Sequence, residues 1–207
     1  MNDVNPFASV SPTTLADVLG AGQVMNIGVR PLWSPMPRLA GPAFTVRCPA
    51  GDNLMLHAAI YRAAPGSVLV VEAGDTDFAM SGGNVCAVAQ RRGIAGFVVD
   101  GVIRDLAEVR ELNFPIFARG VRPIPGGKAV VQPLNEQVRC GGVSVNAGDI
   151  VVADEEGIVV VPAADQEDVL RAAQAKVAKE AEQSLDSWER DHRARIDKIL
   201  SDNGFAN

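Results

Sequence analysis

Continuous apolar stretches of strand length alternate with helical segments through the middle of the chain. The apolar stretches are residues 67–72, 94–100 and 114–118, and the segments 84–92 and 105–112 between them have a helical pattern. Strands that are apolar on both faces and alternate with helices are typical of a parallel sheet covered by helices. The middle of the chain therefore predicts parallel βαβ units in an α/β fold.

The segments that precede this region predict a helix, a strand and a second helix. Residues 11–20 predict a short helix in which Ser11 or Thr13 caps the first turn. Residues 42–49 are β-prone and bounded by prolines, and residues 51–64 place apolar side chains at helical spacing. These elements extend the α/β pattern toward the amino terminus.

The carboxyl-terminal part of the chain has a different pattern. After Gly120 short β-prone pieces are separated by Gly and Pro, and residues 150–162 predict a hairpin whose turn is residues 154–157. The following helical segment is rich in Ala and charge, and its narrow apolar stripe favours packing on a surface or a neighbouring subunit. We therefore expect an α/β domain over 1–162 and a helical tail over 163–207.

Composition and charge restrict the class of protein. Hydrophobic residues make up 47% of the chain and aromatic residues only 5%, so the core must be aliphatic. A net charge of −6 disfavours sequence-independent binding to nucleic acid, because phosphate contacts need clustered positive charge. No apolar run approaches the roughly 18 residues of a membrane span, and the amino terminus has no signal-peptide pattern. We expect a cytoplasmic protein without membrane or nucleic-acid partners.

The reactive residue types exclude several common active sites. The three cysteines lack C-x-x-C spacing, which disfavours a disulfide framework or a cysteine zinc site. Neither His57 nor His192 belongs to a motif, so a Ser-His-Asp triad is disfavoured. Three of the four lysines lie in the tail, and Lys128 follows glycines in a loop, so no predicted core strand supplies a Schiff-base lysine. Residues 123–128 resemble a phosphate-binding loop but lack its spacing, and predict a flexible turn.

The first candidate loop follows the predicted strand 67–72. Its end, the sequence Ser81-Gly82-Gly83-Asn84, leads directly into a helix. Two glycines there leave backbone N–H groups uncovered at a helix amino terminus, where unpaired donors and the helix dipole favour an anion. The alternative is a glycine turn in which Ser81 or Asn84 caps the helix.

The second candidate loop, residues 100–105, follows the strand 94–100. Arg104 and Asp105 together can hold an anionic substrate and a hard cation, because guanidinium pairs with carboxylate and a carboxylate with water ligands suits Mg²⁺ or Mn²⁺. The alternative is structural: Asp105 stands three residues before Glu108, which is an Asp variant of the capping box. Both loops follow the carboxyl ends of strands, where open α/β sheets bind ligands.

These motifs together resemble those of the RraA-like family. A GGN turn is followed some twenty residues later by DGVIRD, and the likeness extends from about Leu15 to Pro162, with GPAFTV near its start and ADEEGIVVVP near its end. The family includes 4-hydroxy-4-methyl-2-oxoglutarate aldolases, and its older label is demethylmenaquinone methyltransferase-like. The sequence has no glycine-rich loop for S-adenosylmethionine, so the methyltransferase label has no support in it.

The resemblance implies a fold, an assembly and a set of site residues. The fold would be a swivelling β/β/α domain, here with a carboxyl-terminal helical extension, assembled as a homotrimer or hexamer with active sites between subunits. Arg104 would bind substrate and act in catalysis, Asp105 would be the ligand of Mg²⁺ or Mn²⁺, and Glu180 of a neighbouring subunit would be catalytic. The substrate carboxylate would bind to the backbone of Gly82, Gly83, Asn84 and Val85.

The implied activity is that of a class II aldolase. It would cleave a 4-hydroxy-2-oxo acid to pyruvate and would decarboxylate oxaloacetate as a side activity, because both reactions form the same enolate. Two features depart from the aldolases: Gly83 stands where some of them carry an acidic residue, and residues 187–205 differ from their expected ending. The alternative function is that of RraA itself, an inhibitor that binds an endoribonuclease without catalysis.

Overall fold

A seven-stranded mixed sheet forms the body of the protein in the computed structural model, which describes residues 5–205. The order of its strands is β1-β5-β4-β3-β2-β8-β9, and β6 and β7 form a separate antiparallel pair. The edge strands β1 and β9 approach each other, so the sheet curls into a nearly closed barrel. The strands are β1 (Arg30–Pro31), β2 (Leu39–Cys48), β3 (Val68–Ala73), β4 (Gly96–Ile103), β5 (Ile116–Val121), β6 (Val138–Cys140), β7 (Val143–Val145), β8 (Ile150–Asp154) and β9 (Gly157–Val161).

In the part of the chain that the structure describes, six α-helices accompany the sheet. They are α1 (Pro12–Leu19), α2 (Leu54–Ala59), α3 (Gly83–Arg91), α4 (Leu106–Glu111), α5 (Gln166–Glu182) and α6 (Leu185–Asp202). Ser11 caps α1, because its Oγ accepts a hydrogen bond from the Thr14 N–H at 3.1 Å. Within residues 5–205, none of the helices combines the length and apolar character that crossing a membrane requires.

The parallel βαβ units predicted from the sequence are confirmed. Strands β2, β3, β4 and β5 are neighbours and run parallel. In β3, Leu69 and Val71 pack into the core on one face, while Val68 and Val70 pack into the core on the other. Each of these side chains is fully buried, which stabilises the fold by about 1.5–3 kcal/mol per side chain. A strand buried on both faces needs no polar alternation, which is why it reads as a continuous apolar run.

Several boundaries differ from the predictions, including that of β2, which begins at Leu39 instead of residue 42, and that of β5, which spans Ile116–Val121 instead of 114–118. Strand β4 continues to Ile103, so the predicted loop 100–105 is reduced to Arg104 and Asp105. Asp100 can stay in the strand because its carboxylate pairs with Arg119. The predicted helix 51–64 forms only over α2, because residues 49–53 make a turn instead.

The hairpin predicted over residues 150–162 is confirmed as β8 and β9, with Glu155 and Glu156 at its turn. Strand β2 joins it to the parallel sheet: residues 39–42 pair with β8, and residues 43–48 pair with β3. One long strand thus connects the hairpin to the parallel strands.

The tail forms two helices that differ in how they pack. Val169 and Ala173 of α5 are buried against α1 and the hairpin, in a core that also contains Leu15 and Val152. By contrast, α6 buries no side chain. The boundary between an α/β domain and a helical tail at residue 162 stays a prediction. Apolar side chains exposed along α6 and just beyond it are Leu185, Trp188, Ile196, Ile199, Leu200 and Phe205.

Removing α6 tests whether the helix serves assembly. A chain that ends at Gln183 keeps every buried side chain of α5, so we expect it to melt cooperatively, as measured by circular dichroism. Because α6 exposes its apolar side chains, we expect the native chain to sediment as a trimer or hexamer and the truncated chain as a smaller species. A native chain that sediments as a monomer at micromolar concentration would contradict this. A chain ending at Pro162 is the comparison, since it also removes Val169 and Ala173 from the core and should be clearly less stable.

Candidate functional site

The loops that follow the four parallel strands meet at one edge of the sheet. They are joined by backbone hydrogen bonds that leave little freedom in their relative positions. The bonds run from Arg104 N to Ser81 O (2.9 Å), from Ala79 N to Ile124 O (2.7 Å), from Arg122 N to Ile103 O (2.8 Å) and from Asn53 N to Gly127 O (2.9 Å). The two candidate loops of the sequence analysis are therefore brought together, as expected for the carboxyl ends of parallel strands.

The first loop delivers free backbone donors at the start of α3. Gly82 is the residue before the helix, and neither Ser81 nor Asn84 makes a capping bond to it, so the alternative in which one of them caps the helix is wrong. The Ser81 hydroxyl instead lies 3.4 Å from the Cys86 sulfur. The N–H groups of Asn84 and Val85 have no acceptor among residues 5–205. Unpaired donors of this kind favour an anionic ligand.

Asp105 faces this loop instead of its own helix. Its backbone is left-handed (φ 57°), and its side chain makes no capping bond to α4, so the capping-box alternative is wrong. Its Oδ2 accepts a hydrogen bond from the Gly83 N–H at 3.1 Å and lies 3.5 Å from Arg104 Nε. Oδ1 of the same carboxylate makes no hydrogen bond to residues 5–205 and stays available for a ligand.

Residue 82 has to be glycine for a steric reason. A Cβ at residue 82 would overlap Oδ2 of Asp105 and would lie 3.0 Å from Cγ of Arg104. The arginine and the aspartate therefore approach the loop backbone as closely as they do only because residue 82 is glycine.

Glu108 takes the corresponding position over Gly83. A Cβ at residue 83 would overlap Oε2 of Glu108 and would lie 2.9 Å from its Cδ. Glu108 was not predicted as a site residue from the sequence, because its spacing from Asp105 was interpreted only as a possible capping box. The spacing of Asp105 and Glu108 on one turn of helix was the signal that could have found it.

A shallow cleft of about 290 Å³ lies beside Arg104 and Asp105. Its volume suits a small organic acid better than a large cofactor. The side chains of Arg104 and Asp105 remain 42% and 36% exposed, so both can reach a ligand. The cleft is lined by Arg104, Asp105, Leu106, Val121, Arg122 and Pro123.

Two buried polar residues that the sequence analysis missed hold the loops in place. The carboxylate of Asp52 accepts hydrogen bonds from the N–H groups of Leu54, Ala129 and Val130. Burial raises the pKa of Asp52, but these bonds and the charge of Lys128 outweigh it and hold the pKa below its usual value. The preceding residues 123–128 are hydrogen-bonded as well, since Gly126 N–H donates to Ala79 O and Gly127 N–H donates to Gly51 O, so they form a held loop where we predicted a flexible turn.

Asn53 joins the loop after β2 to the loop after β3. Its Nδ2 donates to Ala79 O at 3.0 Å, the same carbonyl that accepts from the Gly126 N–H at 3.2 Å. Asn53 is buried, and its Oδ1 has no hydrogen-bond partner among residues 5–205. The loops after β2, β3 and β5 thus converge on Ala79 O.

The donor set fits a hard divalent cation that keeps most of its waters. Asp105 offers a free carboxylate oxygen, and the carboxylate of Glu108 contacts the same glycine loop. No group of three His, Cys, Asp or Glu side chains comes together within residues 5–205, so the chain alone cannot form a closed metal cage. One carboxylate with water and substrate ligands is the usual arrangement for Mg²⁺. The metal itself stays a prediction.

Glu180 lies away from this cleft within its own chain. It pairs with Lys176 at 2.6 Å on α5 and lines a cleft of about 650 Å³ between α5 and α6. Although that cleft is larger, none of the loops at the sheet edge line it. A catalytic role for Glu180 requires a neighbouring subunit and remains a prediction.

The cysteines take no part in the site. All three are buried and free, in agreement with the absence of a disulfide framework. Burial raises the pKa of Cys48 to about 11 and that of Cys86 to about 12. Thiols with such pKa values carry almost no thiolate at neutral pH and are poor nucleophiles.

Comparison with known proteins decides the family. The RraA-like profile, described as Aldolase/RraA, matches residues 12–160. The chain belongs to the RraA-like family. A protein of Halalkalibacterium halodurans, provisionally named 4-hydroxy-4-methyl-2-oxoglutarate aldolase, is 39% identical over 84% of this chain and 83% of its own length.

Solved structures of RraA-like proteins share the fold. The crystal structure of Streptomyces coelicolor RraAS2, described as an unusual member of the RNase ES inhibitor RraA protein family, is 32% identical, with a TM-score of 0.75 over 85% of this chain and 92% of that one. The RNA-processing inhibitor RraA of Thermus thermophilus is 29% identical, with a TM-score of 0.66 over 72% and 91%. The expected swivelling β/β/α fold with helices at the carboxyl terminus is confirmed. These relatives bear names of both kinds, aldolase and inhibitor.

The protonation state of His57 gives a test of the charges around the RraA-like site. Burial, and after it the positive charges of Lys128 and Arg104, lower the pKa of His57 to about 4. Because the ordinary value is near 6.5, the folded protein resists protonation, and this contribution to stability is lost as pH falls from about 6.5 toward 4. We expect the NMR shifts of the His57 ring to stay constant between pH 7.5 and 5.5.

Two controls belong to this measurement. In urea the same ring should titrate near its ordinary pKa, and Lys128→Met should raise the folded-state pKa by removing one positive charge. A folded-state titration centred near pH 6.5 would contradict the charge arrangement.

Proposed function

We propose that this protein is a divalent-metal-dependent aldolase that cleaves a 4-hydroxy-2-oxo acid, such as 4-hydroxy-4-methyl-2-oxoglutarate, to pyruvate. Oxaloacetate decarboxylation would be its side activity. The observation that carries the proposal is the convergence, at one sheet edge, of Arg104, a carboxylate of Asp105 with a free oxygen, and the unpaired N–H groups of α3. The name of the 39% identical relative supports the same class of reaction.

The start of α3 would bind the substrate's carboxylate. The N–H groups of Asn84 and Val85 provide two donors, and the helix dipole adds a partial positive charge at the same place. A carboxylate bound there would place its neighbouring 2-oxo group close to Arg104 and Asp105. Both side chains contact Gly82, which is the residue before α3.

Arg104 would stabilise the charge that the reaction creates. Removal of the proton from the C4 hydroxyl lets the C3–C4 bond break, so C4 becomes a carbonyl and the electron pair forms the enolate of pyruvate. Negative charge then develops on the C2 oxygen, and a guanidinium held in place before the reaction lowers the energy of that state. Return of the hydroxyl proton, or of one from water, to C3 of the enolate then gives pyruvate. Asp105, at 3.5 Å from Arg104 Nε, helps to orient the guanidinium.

Asp105 would hold the cation through its free oxygen. A bound Mg²⁺ or Mn²⁺ would polarise the 2-oxo group as a Lewis acid. A water held by a carboxylate, for which Glu180 of a neighbouring subunit is the predicted group, would accept the C4 hydroxyl proton. The homotrimer or hexamer would then be needed for a complete site.

The second candidate function is inhibition of an endoribonuclease. It is favoured by the likeness to RraA proteins described as inhibitors of RNA processing and of RNase ES. In that case the acidic chain would bind a basic protein surface, and Arg104 and Asp105 would have no substrate. A fold alone does not decide between the two, because function depends on the residues of the site. Turnover of oxaloacetate or of a 4-hydroxy-2-oxo acid would separate them.

Asp105→Asn tests the metal site. Asn tolerates the left-handed backbone and can still accept from the Gly83 N–H, but it loses the negative charge. We expect at least about 1,000-fold lower kcat/KM for oxaloacetate, which corresponds to about 4 kcal/mol of transition-state stabilisation, with an unchanged melting temperature and oligomeric state.

Chelation is the companion measurement. EDTA should abolish activity, and Mg²⁺ or Mn²⁺ should restore it. Full turnover by rigorously chelated enzyme, or by Asp105→Asn, would rule out this role of Asp105.

Arg104→Lys separates three roles of the arginine. If Arg104 stabilises the enolate, kcat and kcat/KM for oxaloacetate should both fall about 100-fold or more, because lysine keeps the charge but loses the planar fork. A raised KM with normal kcat would instead indicate uniform substrate anchoring. A lower melting temperature with activity proportional to the folded fraction would indicate a structural role. An unchanged kcat would refute the proposed one.

A further inference from the structure

We propose that Glu108 is a second acidic residue of the cation site, acting as a positioning residue through water and increasing the affinity for the cation. The inference rests on the proposed function, because it assumes that Asp105 holds a divalent cation. It assigns to Glu108 a task that the capping-box spacing alone would not suggest.

The Glu108 carboxylate lies against the start of α3. Its Oε2 occupies the space in which the side chain of residue 83 would begin, and its Cβ lies 3.0 Å from the same point. Asp105 Oδ2 accepts from the N–H of the same Gly83. Two carboxylates, one from the residue before α4 and one from its first turn, therefore contact one glycine, which lies at the start of α3.

Nothing within residues 5–205 compensates the charge of Glu108. The residue stands where a capping-box glutamate would bond to the Asp105 N–H, but no such bond is made. No ion pair or side-chain hydrogen bond to Glu108 occurs among these residues either. Arg104, the nearest ion-pair partner of Asp105, offsets only one of the two negative charges.

Two carboxylates that approach the same glycine carry like charges. Their mutual repulsion is offset when a divalent cation binds near both of them. Carboxylates that hold waters of a metal ion orient those waters and tune the affinity, commonly by 10–100-fold. Because Glu108 touches Gly83 beside Asp105 and remains exposed to solvent, water can lie between it and a cation on Asp105.

The experiment measures Mn²⁺ binding directly, by isothermal titration calorimetry and by electron paramagnetic resonance of free Mn²⁺, beside oxaloacetate decarboxylation. The variant is Glu108→Gln, which keeps the shape and removes the charge. The matched control is Glu111→Gln on the same helix. Glu111 and Glu108 both line a groove between α3 and α4, but the Glu111 side chain does not cover Gly83. We expect Kd for Mn²⁺ to rise about 10-fold or more in Glu108→Gln and to stay within about 2-fold in the control.

A relocation of the carboxylate tests its position. Gly83→Asp alone should destabilise the protein, because its Cβ overlaps Glu108 Oε2. Combined with Glu108→Ala, the same substitution has room, and Asp is favourable in the first turn of a helix. We expect the double variant to recover Mn²⁺ affinity to within about 3-fold of the native chain, while Glu108→Ala alone stays weak.

The outcomes separate this inference from the proposed function. Native Mn²⁺ affinity in Glu108→Gln would overturn the inference, as would a folded double variant that recovers nothing. If Asp105→Asn also binds Mn²⁺ as the native chain does, the proposed metal site itself fails. Weakened binding in both Asp105→Asn and Glu108→Gln, with an unaffected Glu111→Gln, supports both.

Discussion

The close approach of two acidic side chains to the backbone of Gly82 and Gly83 is the constraint on which the candidate site depends. Asp105 and Glu108 occupy the places in which side chains of residues 82 and 83 would begin. A residue larger than glycine would push the loop after β4 away from the start of α3. The hydrogen bond from Gly83 N–H to Asp105 would be lost with that movement, and so would the common position of the anion donors and the carboxylates.

The close approach of Asp105 and Glu108 to the two glycines depends in turn on four strands that end at the same edge of the sheet. The strands β2 to β5 run parallel, so the loops that follow them emerge together, and backbone hydrogen bonds join each loop to a neighbour. Asp52 and Asn53 complete these connections from the loop after β2. The cost of burying the Asp52 carboxylate is offset by its bonds to three backbone N–H groups, and Asn53 donates to a backbone carbonyl. The loops are therefore parts of the folded core's edge and not independent segments.

Similar chains include one provisionally named as an aldolase and one described as a member of an inhibitor family, so family membership does not decide between the two functions. The choice lies in a few charges at the sheet edge. Arg104 and Asp105 are both partly exposed and directed at a cleft that suits a small acid. Asp105 makes no capping bond to α4, the helix that it precedes; its Oδ2 accepts from the first N–H of α3, and its Oδ1 makes no hydrogen bond within residues 5–205.

Much of the fold could be predicted from the sequence because it depends on local patterns. Continuous apolar runs identified β3, β4 and β5, Ser11 and Pro12 marked the start of α1, and the glycine loop and Arg104-Asp105 marked the two loops of the site. These signals arise from residues close together in the chain, where periodicity, caps and turns are decided.

The tertiary structure alone decided which neighbours those residues meet. Glu108 covers Gly83 from 25 positions away in the chain, and Asp52 holds the backbone of Ala129, which is 77 positions away. No periodicity or motif encodes such pairs, because they follow from how strands stack and where their loops emerge. Asp105 had an ordinary local explanation as a cap, and only the contact with Gly83 showed that it faces the site instead. The sequence by itself determined the strands and the residue types at their ends, whereas the packing of those ends determined the chemistry they can share.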